Sequence, residues 1–313
     1  MSRTLARLGI LCLTTQASAE TVCYDSGPGV LPDDALIPAE HRFTLSGDTS
    51  FVSVGATLRV TDDVWANSVH YQKVDHPPVT SADDWEFETW LQMHSADRNS
   101  GLLDIGNWTT VRDDQKQISL GWEVGRVGFT NLGSTAFVNG LSVAMDTTDQ
   151  FHHYLVRKTG PTIELFVDGA ATAALTISHS DFPDTPGTEA IWMASTSLAG
   201  VSDFEVANYT FRRNTYVLDL AACPPLLDAG DILTLSSRYA VPGSVNLLYV
   251  VAVNGSPFIA QVLTSSADGD GEWSQGAVIP PGLSGLSLTL LQFGYTQGSG
   301  QLAASNTSTI AFR

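Results

Sequence analysis

Two glutamates separated by one residue, Glu86 and Glu88, are the first candidates for chemistry in this sequence of 313 residues. They lie in an alternating run, residues 85–93, which predicts a β-strand, so both side chains would project from one face. Side chains two residues apart on a strand start about 7 Å from each other. Glycosidases hold their two carboxyl groups roughly 5 to 9 Å apart. The spacing is therefore compatible with glycoside hydrolysis but does not require it.

The same strand offers a ring beside polar groups, a combination suited to a sugar ligand. If Phe87 and Leu91 face a core, then Glu88, Trp90 and Gln92 face the opposite way. An aromatic ring can stack on the apolar face of a sugar while polar groups fix its hydroxyls. The alternative is that the segment between residues 24 and 73 covers this face, which would make Trp90 a core residue.

Other tryptophans fall on or beside predicted strands, namely Trp108, Trp122 and Trp192. Core packing explains tryptophan in β-sandwiches as well as ligand stacking does. The ligand-binding candidates are Glu88, Trp90, Gln92, Trp108 and Trp122.

Acidic residues at predicted turns are candidates for calcium, which takes six to eight oxygen ligands from several loops. The metal candidates are Asp62, Asp63, Asp268 and Asp270. The D-G-D-G-E segment that contains the last two lacks the twelve-residue spacing of an EF-hand loop. Aspartate is also common in turns because its side chain bonds to the local backbone, which explains further acidic clusters such as Asp113 with Asp114. We keep calcium as a possible cofactor and expect no other.

The His152-His153 pair is interpreted as structural. Adjacent residues of a strand point to opposite faces, so the two rings cannot bind one metal ion together. The sequence also lacks a Ser/His/Asp signature, a cysteine nucleophile, a phosphate-binding glycine loop and zinc-ligand spacing.

These candidates lie among predicted β-strands, and no useful helical periodicity occurs between Glu20 and Cys223. The clearest unit is a three-strand meander over residues 151–175. Its first two strands are separated by Thr159-Gly160-Pro161. Asp168-Gly169 predicts a type I′ turn, after which residues 170–177 return as the third strand.

This meander resembles the central hairpin of laminin-G-like, concanavalin-A-like jelly rolls, in which a W-H-H strand and a Y-V-D-G hairpin recur. Phe151 stands where that family usually has tryptophan. Residues 85–93 resemble the family's F-T-I-E-x-W strand, and residues 200–209 resemble its closing G-x-I-D-D-V-x-I-Y strand. The resemblance implies sugar subsites on the face of Glu88 and Trp90. Hydrolases of this fold carry E-x-D-x-x-E, which is absent here, so the resemblance favours binding over catalysis.

The composition changes at Cys223-Pro224-Pro225, after which charge is sparse and short strands alternate with Gly/Pro turns. This pattern predicts a small Ig-like β-sandwich. It resembles C-terminal modules of large secreted bacterial proteins in its Pro242-Gly243 turn, its 268–273 segment and its 279–286 turn. We therefore expect an all-β protein with a concanavalin-A-like jelly roll over residues 20–223 and a second β-sandwich over 224–313.

The first nineteen residues predict a secretory signal peptide. Arg3 and Arg7 precede a short apolar segment, and Ala17-Ser18-Ala19 forms a small-residue cleavage site. Cleavage near Ala19 would remove Cys12 and leave Cys23 and Cys223. In an oxidising compartment two such cysteines are usually bonded, so a Cys23–Cys223 disulfide is expected. No other segment is apolar enough to span a membrane.

Charge narrows the choice of partner. The chain has 33 acidic and 15 Lys/Arg residues and a formal net charge of −18, which argues against nucleic acid. The function that we favour is a secreted, non-catalytic binding or adhesion protein that recognises glycan or an extracellular protein on a cell surface. The alternatives are a carbohydrate-active enzyme of the same fold and a purely structural extracellular module.

Overall fold

The protein is built almost entirely from β-strands. A computed structural model describes residues 20–39, 41–47, 52–62, 69–73, 79–97, 107–130, 136–185, 190–196, 201–214, 219–238, 240–269, 271–295 and 302–313. Within these ranges the chain forms strands and short 3-10 turns, with no α-helix. The predicted all-β fold class is therefore confirmed. The predicted signal peptide, residues 1–19, lies outside the described residues.

The strands, in chain order, are β1 (Glu20–Asp25), β2 (Thr44–Gly47), β3 (Val52–Val54), β4 (Leu58–Asp62), β5 (Val69–Lys73), β6 (Asp84–Asp97), β7 (Asn107–Arg112), β8 (Gln117–Glu123), β9 (Arg126–Thr130), β10 (Val143–Ala144), β11 (His152–Thr159), β12 (Thr162–Val167), β13 (Leu175–Ser178), β14 (Ala190–Thr196), β15 (Val201–Asn214), β16 (Asp219–Cys223), β17 (Leu226–Leu227), β18 (Ile232–Arg238), β19 (Val245–Val253), β20 (Ser256–Ser266), β21 (Trp273–Val278), β22 (Ser287–Tyr295) and β23 (Leu302–Phe312). Two short 3-10 turns, Val138–Gly140 and His179–Asp181, connect strands of the first half.

Two large antiparallel sheets form the first sandwich. Sheet A has the order β13-β12-β11-β6-β15-β4-β3, with β1 also paired to β15, and sheet B has the order β10-β9-β8-β7-β14-β5-β2. Apolar residues at every second position turn one face of each sheet inward. Phe87 of β6 and Phe211 of β15 thereby share one core with Leu120 of β8. This arrangement fixes which side chains of sheet A face outward.

The predicted central meander is present as β11, β12 and β13. Asp168 and Gly169 have φ values of 53° and 70°, as the predicted type I′ turn requires. The third strand begins only at Leu175, which pairs with Leu165, and not at residue 170 as predicted. Residues 170–174 are mostly exposed and small, so they have little apolar surface with which to hold a strand on the sheet.

A second sandwich combines a three-stranded sheet, β16-β18-β21, with a five-stranded sheet, β17-β23-β22-β19-β20. It has its own apolar core, which includes Leu220, Leu248 and Phe312. The predicted first domain, residues 20–223, includes the residues of β16, and this strand pairs with β18 and contributes Leu220 to the second core.

The predicted disulfide between Cys23 and Cys223 is confirmed, with the two Cα atoms 6.4 Å apart. Cys23 lies in β1, which pairs with β15 of the first sandwich, whereas Cys223 ends β16 of the second. The bond therefore joins the two sandwiches to each other and does not merely close the ends of one. Across the described part of the chain, no helix is long and apolar enough to cross a membrane.

Candidate functional site between the two sandwiches

The centre of the site is the outward face of β6. Trp85 and Phe87 point into the core and are fully buried, whereas Trp90 is 42% exposed. The predicted alternation of this strand is therefore correct. The alternative, in which Trp90 is a covered core residue, is wrong.

Neighbouring strands place polar groups beside the Trp90 ring. His153 of β11 lies directly opposite Trp90, and the two rings stack with centroids 5.2 Å apart. On the other side of β6, Asn208 of β15 pairs with Trp90. An exposed indole thus lies in a row with an imidazole and an amide across three strands.

Glu88 lies between two side chains that contact its carboxylate, one from each neighbouring strand. Its Oε2 lies 3.3 Å from Nε2 of His153, and its Oε1 lies 3.5 Å from Nη1 of Arg212. Burial raises the pKa of Glu88, but the hydrogen bond from His153 and the charge of Arg212 outweigh it, so the pKa falls below its usual value. Glu88 is therefore ionised at neutral pH and serves as a hydrogen-bond acceptor.

Glu86 is enclosed by three guanidinium groups, and its side chain is only 3% exposed. Arg157 Nε lies 3.4 Å from its carboxylate, Arg212 Nη1 lies 3.3 Å away, and Arg238 forms a still closer ion pair. A catalytic pair in a glycosidase needs one carboxylic acid with a raised pKa and one carboxylate that reaches the sugar. Glu88 has a lowered pKa rather than a raised one, and the Glu86 side chain is too buried to reach a sugar. The two glutamates therefore do not match the carboxyl pair of a glycosidase.

The second sandwich closes this face into a cleft. Residues of β6 and β15 form one wall, and Thr234 and Ser236 of β18 form the other. The cleft has a volume of about 310 Å³ and contains Trp90 and Glu88. A second cavity of about 290 Å³ also touches Glu88, Thr234 and Ser236 and extends towards Trp273. The two cavities share these three residues and Arg212, so they lie next to each other at the boundary between the sandwiches.

The disulfide lies in the wall of the same cleft. Cys23, Cys223 and Pro224 line it, beside Asp25 at the end of β1. The covalent link between the sandwiches is therefore also part of the site that they enclose.

The remaining predicted ligand-binding residues are not all brought to this cleft. Gln92 is on the same outward face, but its Nε2 donates to the carbonyl of Thr148 at 2.8 Å and it does not line the cleft. Trp108 lies in sheet B, where it is 4% exposed and packs with Phe137. Glu88 and Trp90 are thus brought together, whereas Gln92 and Trp108 lie elsewhere.

Trp122 is a core residue, and its prediction as a ligand-binding residue is wrong. Its ring is fully buried between the sheets and packs edge-on against Tyr154, with centroids 5.3 Å apart. The sequence did contain the signal, because Trp122 is in phase with Ile118 and Leu120, which share the core.

Several residues of the cleft were not identified from the sequence. Arg212 lines the cleft and has no role in the sequence analysis, and His153, which is interpreted there as structural, contacts the cleft residues Glu88 and Trp90 without lining the cleft itself. Trp90 and His153 lie side by side because of the register between β6 and β11, and local periodicity does not reveal that register. Thr234 and Ser236 come from the second sandwich, whose packing on sheet A has no sequence motif.

Two of the four acidic metal candidates, Asp62 and Asp268, lie among the described residues. Asp62 is buried at the end of β4. Asp268 accepts a hydrogen bond from the backbone N–H of Glu272 at 2.9 Å, which closes its own turn. Asp113 likewise accepts from the backbone N–H groups of Gln115 and Lys116. Asp63 and Asp270 lie outside the described residues.

No group of three or more His, Cys, Asp or Glu residues suited to a metal ion occurs in the described part of the chain. His152 and His153 point to opposite faces, as predicted. His152 is bonded to Asp149 and Asp168, while His153 contacts Glu88.

Comparisons with solved structures find similar folds over part of this chain. An endo-1,3-β-glucanase from Streptomyces sioyaensis is 12% identical, over 64% of this chain and 98% of that chain, with a TM-score of 0.40. Arcelin-5, a lectin-like defence protein from Phaseolus vulgaris, is 8% identical over 63% and 99%, also with a TM-score of 0.40. A lectin from Bauhinia forficata is 10% identical over 62% and 99%, again at 0.40. Glucanases and lectins thus both occur among these structures.

No protein-family description matches the chain. No curated protein matches it either.

Proposed function

We propose that the protein is a non-catalytic glycan-binding protein of an oxidising compartment, and that its ligand occupies the cleft between the sandwiches. The observation that carries this proposal is Trp90, a large indole that is 42% exposed on the outward face of sheet A. An exposed indole is suited to stacking on the C–H face of a pyranose. The Cys23–Cys223 disulfide supports an extracellular or lumenal location.

The polar groups around Trp90 fit the hydroxyls of a sugar. Glu88 is an ionised acceptor, Asn208 offers both donor and acceptor groups, and Thr234 and Ser236 offer hydroxyls from the opposite wall. A sugar hydroxyl is itself both donor and acceptor, so it can satisfy either kind of group.

The charge of the cleft favours a neutral saccharide. Its positive groups, Arg212 and Arg238, are already paired with carboxylates of Glu86, Glu88 and Glu272. Further carboxylates line the two cavities, namely Asp25 and Asp268. Uronic or sulfated sugars would therefore meet net negative charge without a free cation to bind them.

The non-catalytic part of the proposal rests on the two glutamates. Glu86 is enclosed by arginines, and the lowered pKa of Glu88 keeps it ionised, so neither has the features of a general acid. The competing function is a glycoside hydrolase or lyase, and a structural module without a ligand is a further alternative.

The first test is a glycan array with the exported, disulfide-bonded protein, probed with neutral and anionic oligosaccharides in the presence and absence of calcium. We expect retention of neutral glycans. The best neutral oligosaccharide is then titrated calorimetrically into wild-type protein and variants. Trp90→Ala should weaken binding by roughly tenfold or more, and Trp90→Phe should retain most of it.

Tyr295→Ala is the matched control, because Tyr295 is 47% exposed and does not line the cleft. If the wild-type protein retains no neutral glycan, the proposal is rejected. Equal affinity in the wild type and in Trp90→Ala would remove the cleft as the site. Release of reducing ends from the bound oligosaccharide, abolished in Glu88→Gln, would establish the enzyme instead.

A further inference from the structure

One edge of the second sandwich is long, apolar and without a partner strand in the described part of the chain. β20 pairs with β19 on one side and is the last strand of the five-stranded sheet. It contains 11 residues, which extend over about 36 Å at the rise of a β-strand. Ile259 is 81% exposed, Val262 is 53% exposed and Phe258 is 50% exposed.

This sheet carries no charged residue in its described strands, β17, β19, β20, β22 and β23. Free edges in soluble proteins are usually protected by charged side chains, proline or bulges, because unpaired backbone groups recruit other strands. β20 has Pro257 near its start and register shifts against β19, but no Lys, Arg, Asp or Glu along its length. An edge of this kind is suited to strand addition.

We propose that β20 pairs antiparallel with β20 of a second copy, so that two five-stranded sheets become one continuous sheet across a two-fold axis. A two-fold axis at Gln261, the middle residue of the strand, brings Ile259 opposite Leu263 of the second copy. The same register brings Val262 opposite Ala260. The apolar side chains exposed on one edge thus meet apolar side chains of the other, as an isologous contact requires.

The distribution of charge favours a second copy of this chain as the partner of β20, and it favours antiparallel over parallel pairing. Each chain has a net charge of −18, so two copies repel each other across most of their surfaces. The uncharged sheet lets them approach without bringing carboxylates together. Asp268 and Glu272 follow β20 in the turn to β21. Antiparallel pairing keeps the two acidic turns at opposite ends of the contact, whereas parallel pairing would place them side by side.

The contact is confined to one strand from each copy, so its area lies at the low end for specific association. We therefore expect a reversible dimer whose population rises with protein concentration. Added salt screens the repulsion between the acidic first sandwiches and should raise the dimer fraction.

The test is sedimentation velocity of the full disulfide-bonded protein over a roughly hundredfold range of concentration, at low and high salt. The wild-type protein should shift from monomer to dimer. Ile259→Lys and Val262→Lys place ammonium groups in the contact. Each should weaken the dimer and raise its dissociation constant by about tenfold or more. Because both side chains are exposed, the thermal melts of these variants should match that of the wild type.

Val278→Lys and Leu302→Lys are matched controls, at 68% and 64% exposure on other strands of the same sandwich. They should leave the dimer unchanged. A wild type that stays monomeric throughout would overturn the proposal, even if the same edge captured another protein. A dimer insensitive to Ile259→Lys, or equally sensitive to Val278→Lys, would assign self-association to another surface.

Discussion

Glu86 of β6 and Arg238 of β18 form an ion pair that crosses from the first sandwich to the second. The same carboxylate also contacts Arg157 and Arg212 of sheet A. One nearly buried carboxylate therefore contacts three guanidinium groups at the point where the two sandwiches meet. This contact lies beside the cleft, so it also helps to fix the distance between the cleft walls.

Glu86→Gln should lower the free energy of unfolding by about 3 kcal/mol, because it removes a nearly buried anion that three arginine side chains contact. Glu272→Gln is the matched control. Glu272 also contacts Arg238, but its side chain is 48% exposed, so its loss should cost below about 1 kcal/mol. Denaturant unfolding of both variants measures the difference. Equal effects would mean that the buried cluster contributes nothing beyond an exposed ion pair.

The Cys23–Cys223 disulfide closes a loop of 200 residues. In the chain-entropy model such a loop stabilises the folded protein by roughly 5 kcal/mol. The double variant Cys23→Ser/Cys223→Ser should lose stability on that scale, as measured by denaturant unfolding. It should also bind the cleft ligand more weakly at temperatures where it remains folded, because the bond joins both walls.

Alkylation of a protein that comprises residues 20–313, followed by intact-mass measurement, checks the premise of that prediction. The unreduced protein should take up no alkyl group, and the reduced protein should take up two. Two accessible thiols before reduction would contradict the disulfide.

Alternating hydrophobicity was sufficient to predict which side chains of β6 face outward. The Asp168-Gly169 pair was sufficient to predict the turn that follows β12. Both are local properties, fixed by the period of a strand and by residues that tolerate positive φ. The disulfide was predictable because signal-peptide cleavage would leave only two cysteines. Trp122 could have been assigned to the core from its phase with Ile118 and Leu120.

The composition of the cleft could not be predicted in the same way. His153 and Arg212 reach Glu88 only through the register of three strands that are distant in sequence. Thr234 and Ser236 reach it only through the packing of one sandwich on the other. Neither register nor packing between sandwiches leaves a periodic signal in a single sequence.

The second sandwich should fold alone only if β16 is included. A fragment of residues 219–313 with Cys223→Ser should give dispersed β-type amide spectra. A fragment of residues 224–313 loses one strand of the three-stranded sheet and the core residues Leu220 and Ala222, so it should be much less stable. Equally dispersed spectra from both fragments would show that β16 is dispensable. Collapsed spectra from both would mean that the two sandwiches depend on each other.

Trp90 and Trp85 lie on one strand but should differ in their effect on stability. Trp85 is fully buried, and Trp85→Ala should cost about 3 to 5 kcal/mol. Trp90→Ala removes an indole that is 42% exposed and should cost below about 1 kcal/mol. Thermal and denaturant unfolding of the two variants provides the comparison. A large loss in Trp90→Ala would mean that the ring supports the fold and would weaken the argument for a ligand.

The stability that His152 contributes should decline as the pH rises. Its Nδ1 lies 2.8 Å from Asp168 and its Nε2 lies 2.8 Å from Asp149, so the ring donates both hydrogen bonds only when protonated. Burial lowers the pKa of His152, but the two carboxylates raise it by more, and the pKa lies above its ordinary value of about 6.5. The contribution is therefore complete below about pH 6.5 and is lost as the pH rises through the folded-state pKa.

The difference in melting temperature between the wild type and His152→Gln should be largest near pH 6 and should shrink towards about pH 9. A difference that stays constant or grows over this range would mean that the imidazolium does not hold the two aspartates.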